Sequence, residues 1–305
     1  MDLDALADRL IVPSFSRAGH LARSRHFEPL PRLDGRTVAL TGPTSGIGEA
    51  AAEGFADLGA RLVLIGRNPA KLDALAERLP GDHDTEVADL SSLADTRALA
   101  ERLDAASLDV VVHNAGAMFD EHAYTDEGVE RTLALNLVAP YLLTESLLAD
   151  GLRPEARVVF VSSGGMYAAG VSLRDQRTAE GYRPAIAYAR AKRGQVVLTE
   201  EWAATHPDGP SFHAMHPGWA DTPGVASSLP TFRTITRPFL RTPAEGADTI
   251  LWLAADPDVP SRSGRFWLDR TPRPTPYRSG TEATPERRER FLAELAELAD
   301  YPVNA

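Results

Sequence analysis

Short apolar runs recur along the chain with polar, Ala-rich stretches between them. Residues 37–40, 61–65, 108–113, 156–161, 211–215 and 265–268 are short, mainly apolar runs rather than strictly alternating ones, and residues 85–88 form a weaker run. Such uninterrupted runs predict parallel strands covered on both faces. The intervening stretches carry helical spacing: residues 49–58, 69–79, from about Ser92, 127–148, 187–205 and 244–254. Strand and helix in alternation predict an α/β doubly wound parallel sheet (a Rossmann fold), with ligands at the carboxyl ends of the strands.

Both ends depart from this rhythm. Residues 1–34 scatter Leu10, Ile11, Val12, Phe15, Leu21, Phe27 and Leu30 among Arg17, His20, Arg23, Arg25 and His26. They read either as a basic arm for a membrane surface or partner, or as an irregular segment packed across the main body, the second being favoured. Residues 35–270 make one nucleotide-binding domain and 271–305 a tail. In that tail Phe291, Leu292, Leu295 and Leu298 share one helical face, which packs on this core or on a partner subunit.

Thr41-Gly42-Pro43-Thr44-Ser45-Gly46-Ile47-Gly48 stands between the first strand and the first core helix. Glycines there allow a tight turn and bring bare backbone against a pyrophosphate, while the helix N-terminus offers free N–H groups. By itself the segment is also compatible with an ordinary turn. Composition narrows what binds: 32 Lys plus Arg against 43 Asp plus Glu give a net charge of −11, which repels nucleic acid and anionic membrane. Any phosphate must therefore be held locally. With no cysteine, thiol chemistry, disulfides and cysteine-bound metal are excluded; no metal-ligand cluster is expected elsewhere. No run approaches a membrane span, so a cytoplasmic protein is expected.

Four further clusters carry candidate chemistry. Asn114-Ala115-Gly116 follows the central strand, where small residues admit a ligand. Tyr188 and Lys192, four apart, share a helical face, and an ammonium beside a phenol favours phenolate. Tyr167 and Tyr182 have no lysine at that spacing. Ser162-Ser163 ends a strand, where a hydroxyl can hold a substrate oxygen. Asn136 lies among apolar helix residues, as a satisfied core amide or as part of a proton relay.

In order and spacing these clusters resemble the short-chain dehydrogenase/reductase family over roughly residues 36–270. The likeness runs through the glycine segment, Asp89-Leu90, Asn114-Ala115-Gly116, Asn136, Ser163, Tyr188, Lys192 and Pro217-Gly218 with Thr222. Residues 162–166, 192–200 and 215–225 point further to one branch of that family. The resemblance implies a nicotinamide-dependent oxidoreductase acting on a carbonyl or alcohol, with Asn136, Ser163, Tyr188 and Lys192 catalytic and a homo-oligomeric state. It implies that Tyr188 exchanges the proton and Lys192 lowers its pKa and holds the nicotinamide ribose. Ser163 then holds the carbonyl oxygen, and Asn136 supports a water relay.

Cofactor contacts are implied at Thr41, Gly42, Thr44, Ser45, Gly46, Ile47, Gly48, Arg67, Asp89, Leu90, Asn114, Ala115, Gly116, Pro217, Gly218 and Thr222, as well as Tyr188 and Lys192. Gly66 stands at the end of the second strand, where an acid would mark NAD. Arg67 follows and can grip a 2′-phosphate, so NADP is expected, with NAD possible. The 24 residues between Ser163 and Tyr188 exceed the usual family spacing. That insertion, with Met166, Tyr167 and Tyr182, and the segment carrying Trp219, Leu229, Phe232 and Phe239 are expected to border an apolar or aromatic substrate, or else to pack on one another. Ser163, Met166 and Trp219 are the named substrate contacts. The fold alone also admits a nucleotide sensor or a redox-neutral enzyme. Ser163, Tyr188 and Lys192 beside an intact glycine segment favour the oxidoreductase.

Overall fold

The apolar runs form the sheet. In the computed structural model, which describes residues 14–228, 230–276 and 280–299, they become β1 (Thr37–Thr41), β2 (Arg61–Gly66), β3 (His83–Val87), β4 (Val110–His113), β5 (Arg157–Val161), β6 (Ser211–Met215) and β7 (Arg265–Leu268). Leu10, Ile11, Val12 and Leu229 lie outside the described residues, as does the side chain of Phe232. With β8 (Thr271–Arg273) at the edge, the order is β3-β2-β1-β4-β5-β6-β7-β8, parallel throughout except for the last pair. The chain reverses direction across the sheet between β1 and β4, so a crevice opens at their carboxyl ends beyond Thr41 and His113.

The crossovers cover both faces. Helices α2 (Gly46–Asp57), α3 (Pro69–Arg78) and α10 (Pro243–Ala255) close one face over Val38, Leu40, Leu62, Leu64 and Val159. On the other, α4 (Leu93–Arg102), α5 (Arg131–Ala149) and α7 (Pro184–Thr205) pack over Ala39, Val63, Val111, Val158 and Phe160. The strands are buried on both faces, which is why their sequences do not alternate. Outside these layers are α1 (Arg17–Ser24), which precedes β1, and the short α6 (Arg174–Arg177), α8 (Pro223–Ser228) and α9 (Pro230–Thr236).

Several boundaries differ from the sequence pattern, each for a long-range reason. Helix α5 begins at Arg131 rather than 127, because Glu127 turns away to accept from Leu93 N and Ala94 N and cap α4. Glu130 caps α5 itself, accepting from Thr132 N and Leu133 N. The expectation that no run approaches a membrane span needs correction. Residues Arg131–Ala149 have the length and a mean hydropathy of 1.3 that a span requires, but 78% of that window is buried inside the fold.

Sheet pairing also continues past residue 270. Asp269 (φ 50°) and Arg270 (φ 58°) are both left-handed and form a two-residue hairpin into β8 (Thr271–Arg273). At the other end, residues 14–24 are not irregular: α1 is capped by Ser16, His20 is buried and Arg23 is partly buried, while Arg17 stays exposed. Arg17 pairs with Glu245, and His20 and Arg23 both reach the buried Asp269. Helix α11 (Pro285–Ala299) settles its alternatives by packing on this core, with Phe291, Leu295, Ala296 and Ala299 buried.

Candidate active site

The glycine segment folds as a cradle at the crevice. Gly42 adopts φ +65°, and a methyl group there would meet Ala115 Cα at 2.9 Å. A methyl on Gly48 would lie 2.0 Å from Gly42 O, so only glycine permits α2 to start this close to the turn. The role of Asn114 is sharper than the sequence suggests. Its Nδ2 donates to Thr41 O and Gly42 O, while Asn114 N and Ala115 N donate to Thr41 Oγ1. It therefore holds the cradle's shape instead of merely leaving room. Ser45 precedes α2 in extended conformation with no side-chain capping bond, so its hydroxyl is not committed to the helix. Thr222 lies across the cradle, its Cβ and Cγ2 each 3.2 Å from where a Gly46 methyl would be. Ile47 and Pro217 meet over Gly246 of α10 in the same way.

Beside the cradle the catalytic candidates converge. Asn136 sits in a single wide turn, Ala134–Val138, within α5, a distortion common at functional sites. Its Nδ2 donates to Ala117 O and Thr132 O, whereas Oδ1 is buried without a partner. That oxygen is aimed at Gly116: a methyl there would lie 2.7 Å from it and 3.2 Å from Lys192 Nζ. Lys192 is 1% exposed; its Nζ donates to Val161 O and lies 5.5 Å from the Tyr188 ring centroid. Ser162 Oγ donates to Lys192 O, which ties α7 to the end of β5. Ser163 follows, partly exposed, and accepts from Gly165 N. Asn136, Ser163, Tyr188 and Lys192 are thus gathered at the carboxyl ends of β4 and β5.

The electrostatics correct one expectation. Lys192 does not lower the phenol here: burial pushes Tyr188 up to about 12 and pushes Lys192 down to about 7. Tyr188 is half-buried, and that burial outweighs the ammonium 5.5 Å from its ring centroid. Burial, then the charge of Lys192, also pushes His113 down to about 3; its Nε2 is in hydrogen-bond contact with Thr144 Oγ1.

Arg67 is exposed just past β2 and, among the described residues, has no ion-pair or hydrogen-bond partner. Asp89 is half-buried and accepts from Ser91 N and Oγ. Leu90 is buried at 7% exposure in the core, so its side chain serves packing. The two glycine positions where a side chain would block the backbone, the uncommitted Ser45 hydroxyl at a helix start and the unpaired Arg67 guanidinium fit the phosphates of a dinucleotide, while the orphaned Asn136 Oδ1 beside Lys192 calls for a donor such as a hydroxyl or water.

The expected substrate wall is only partly assembled. Met166 is fully buried, packed in the core against Arg193, which gives it a structural place rather than a pocket-facing one. Tyr182 contacts Thr132 Oγ1 and Glu130, and Tyr167 donates to Pro274 O, so both hydroxyls are engaged. The insertion is stitched to residues 119–130: Gln176 accepts from Glu130 N and donates to Gly128 O, and Arg190 on α7 clamps Asp175. Trp219 is half-buried beside Phe15. Phe239 is 50% exposed. Sequence reasoning placed Phe15 only among scattered apolar residues and gave Gln195 and Arg241 no place in the site, because their contacts exist only across the fold.

A glycine cradle at a topological switch point, with Tyr188, Lys192, Ser163 and Asn136 beside it, defines a nicotinamide-dependent oxidoreductase. Residues 36–231 match the short chain dehydrogenase family, and the chain belongs to it. Dehydrogenase/reductase SDR family member 12 from Bos taurus is 36% identical over 300 residues, which cover 93% of this chain and 94% of that protein. Retinol dehydrogenase 14 from Mus musculus is 31% identical, covering 78% of each chain. The solved 3-oxoacyl (acyl-carrier-protein) reductase from Agrobacterium tumefaciens C58, with NADP bound, superposes with a TM-score of 0.63 at 27% identity, covering 77% of this chain and 93% of that one.

Proposed function

We propose that this enzyme uses NADPH to reduce an apolar or aromatic carbonyl to the alcohol, with Tyr188 as the proton donor. The observation that carries the reading is the convergence of Lys192 Nζ and the orphaned Asn136 Oδ1 on one point at Gly116, beside a cradle only glycine allows. When bound, the nicotinamide supplies the hydride. Ser163 Oγ orients the carbonyl oxygen, and Tyr188, protonated at neutral pH because burial raises it to about 12, gives that oxygen its proton. Lys192, held at Val161 O with its pKa near 7, passes a proton on toward Tyr188 through water ordered by Asn136 Oδ1. A retinol dehydrogenase among the relatives supports an apolar substrate.

Arg67 supports the cofactor choice, since an exposed, unpaired guanidinium past β2 suits a 2′-phosphate. Fluorescence titration tests it. The wild type is expected to bind NADPH at least about tenfold (about 1.4 kcal/mol) more tightly than NADH. Arg67→Asp is expected to weaken NADPH far more than NADH, and equal losses for the two would remove the 2′-phosphate assignment.

A further inference from the structure

The backbone of residues 14–16 runs between two loops of the site. Phe15 O accepts from Trp219 N at 2.9 Å and from Arg241 Nε at 3.1 Å, and Ser14 O accepts from Arg241 and from Arg23. Arg241 also donates to Pro217 O and makes a two-pronged pair with Asp269, both groups being 1% exposed. Although burial alone would raise it, Asp269 is held well below the usual carboxylate range by the hydrogen bond from His20, then by Arg241 and Arg23. One buried ion cluster therefore fastens the N-terminal segment, the turn after β6 and the β7–β8 hairpin together. Gly218 (φ +73°) makes this possible, because a methyl there would lie 2.3 Å from Arg241 Nε and 2.7 Å from Phe15 O.

The side chain of Phe15 uses this anchorage. It is 4% exposed, with His216 at 4.4 Å and Trp219 at 6.3 Å between ring centroids. It also lies against Gly164, the residue after Ser163, where a methyl would be 2.7 Å from Phe15 Cε2. We infer that Phe15 is a positioning residue for the substrate side of the site: its ring sets the spacing between the Ser163-Gly164 turn and Trp219, and so determines which carbonyl substrates fit. The inference rests on the proposed carbonyl reduction. A ring wedged between two loops fixes them in a way that flexible contacts do not, and misplacing a reacting group by an ångström is costly in rate.

The test compares the full-length wild type with Phe15→Leu and Phe15→Ala. Each is assayed with NADPH against a small aliphatic aldehyde, butanal, and a bulky aromatic one, naphthaldehyde. Truncating a buried ring lowers stability, so the readout is the ratio of kcat/KM for the two aldehydes, which does not depend on the folded fraction. Phe15→Ala is expected to shift that ratio about fivefold or more toward the bulky aldehyde, through KM, with Phe15→Leu intermediate and NADPH affinity within about twofold of wild type. An unchanged ratio, with both aldehydes losing rate alike, means that Phe15 is only packing and overturns the inference. Wild-type inactivity on both aldehydes and a wider carbonyl panel would instead sink the carbonyl-reductase reading and Phe15's role with it.

Discussion

At the residue scale the site depends on a few buried polar groups whose partners come from other elements. Asn136 is the clearest case. Pro140, four residues on, has no N–H to give the Asn136 carbonyl, and Gln195 Nε2 from α7 donates to it at 2.7 Å. Asn136 itself is visible in the sequence as a polar residue in an apolar helix, but Gln195 is not, since the pairing spans 59 positions. Gln195→Met keeps the volume and removes the donor. It is expected to cost about 1–3 kcal/mol in urea unfolding and to lower kcat by loosening the turn that aims Oδ1 at Gly116. Stability within about 0.5 kcal/mol of wild type, with unchanged kcat, would contradict that role. Tyr188 and Lys192 teach the same lesson about protonation. Their identity follows from i, i+4 spacing, but the direction of the phenol shift does not, because burial sets it and burial is a property of the folded chain.

At the element scale, seven strands and the main helices follow from apolar runs and helical spacing, because strands covered on both faces leave an unambiguous record. The exceptions share one cause. Glu127 reads as helical until α4 claims it as a cap, and α1 reads as loose until Asp269 gathers its cations. β8 is only three residues long and contains Pro272, which no strand pattern would select. Left-handed Asp269 is tolerated where His20, Arg23 and Arg241 all bond its carboxylate. The glycine cradle was legible because its glycines lie within eight residues of sequence, although Asn114, Ala115 and Thr222, which hold or border it, come from distant segments; the substrate wall was not, because the Phe15, Trp219 and Gly164 contacts join three separate regions.

At the scale of the whole molecule, the charge of −11 and the buried basic groups shape pH behaviour together. His113, His213 and His216 are each pushed down to about 3, first by burial and then by neighbouring cations. Between about pH 3 and 6.5 the unfolded chain binds more protons than the folded one, so stability is lost as pH falls below 6.5. Each histidine contributes up to about 1.4 kcal/mol per pH unit. The melting temperature is therefore expected to drop steeply from pH 7 to 5. His213→Leu should flatten that drop, since neither ring nitrogen of His213 has a partner to lose; a wild-type melting temperature that is level over this range would contradict the account. Catalysis is the other property of the assembled molecule, and Tyr188→Phe tests it most directly. Among the described residues the phenol hydroxyl makes no hydrogen bond, so the substitution leaves the fold and the cradle intact. With an apolar aldehyde and NADPH, turnover is expected to fall by about 10²-fold or more while NADPH affinity, read by fluorescence titration, stays unchanged. Turnover that survives Tyr188→Phe would contradict the central claim that this phenol supplies the proton.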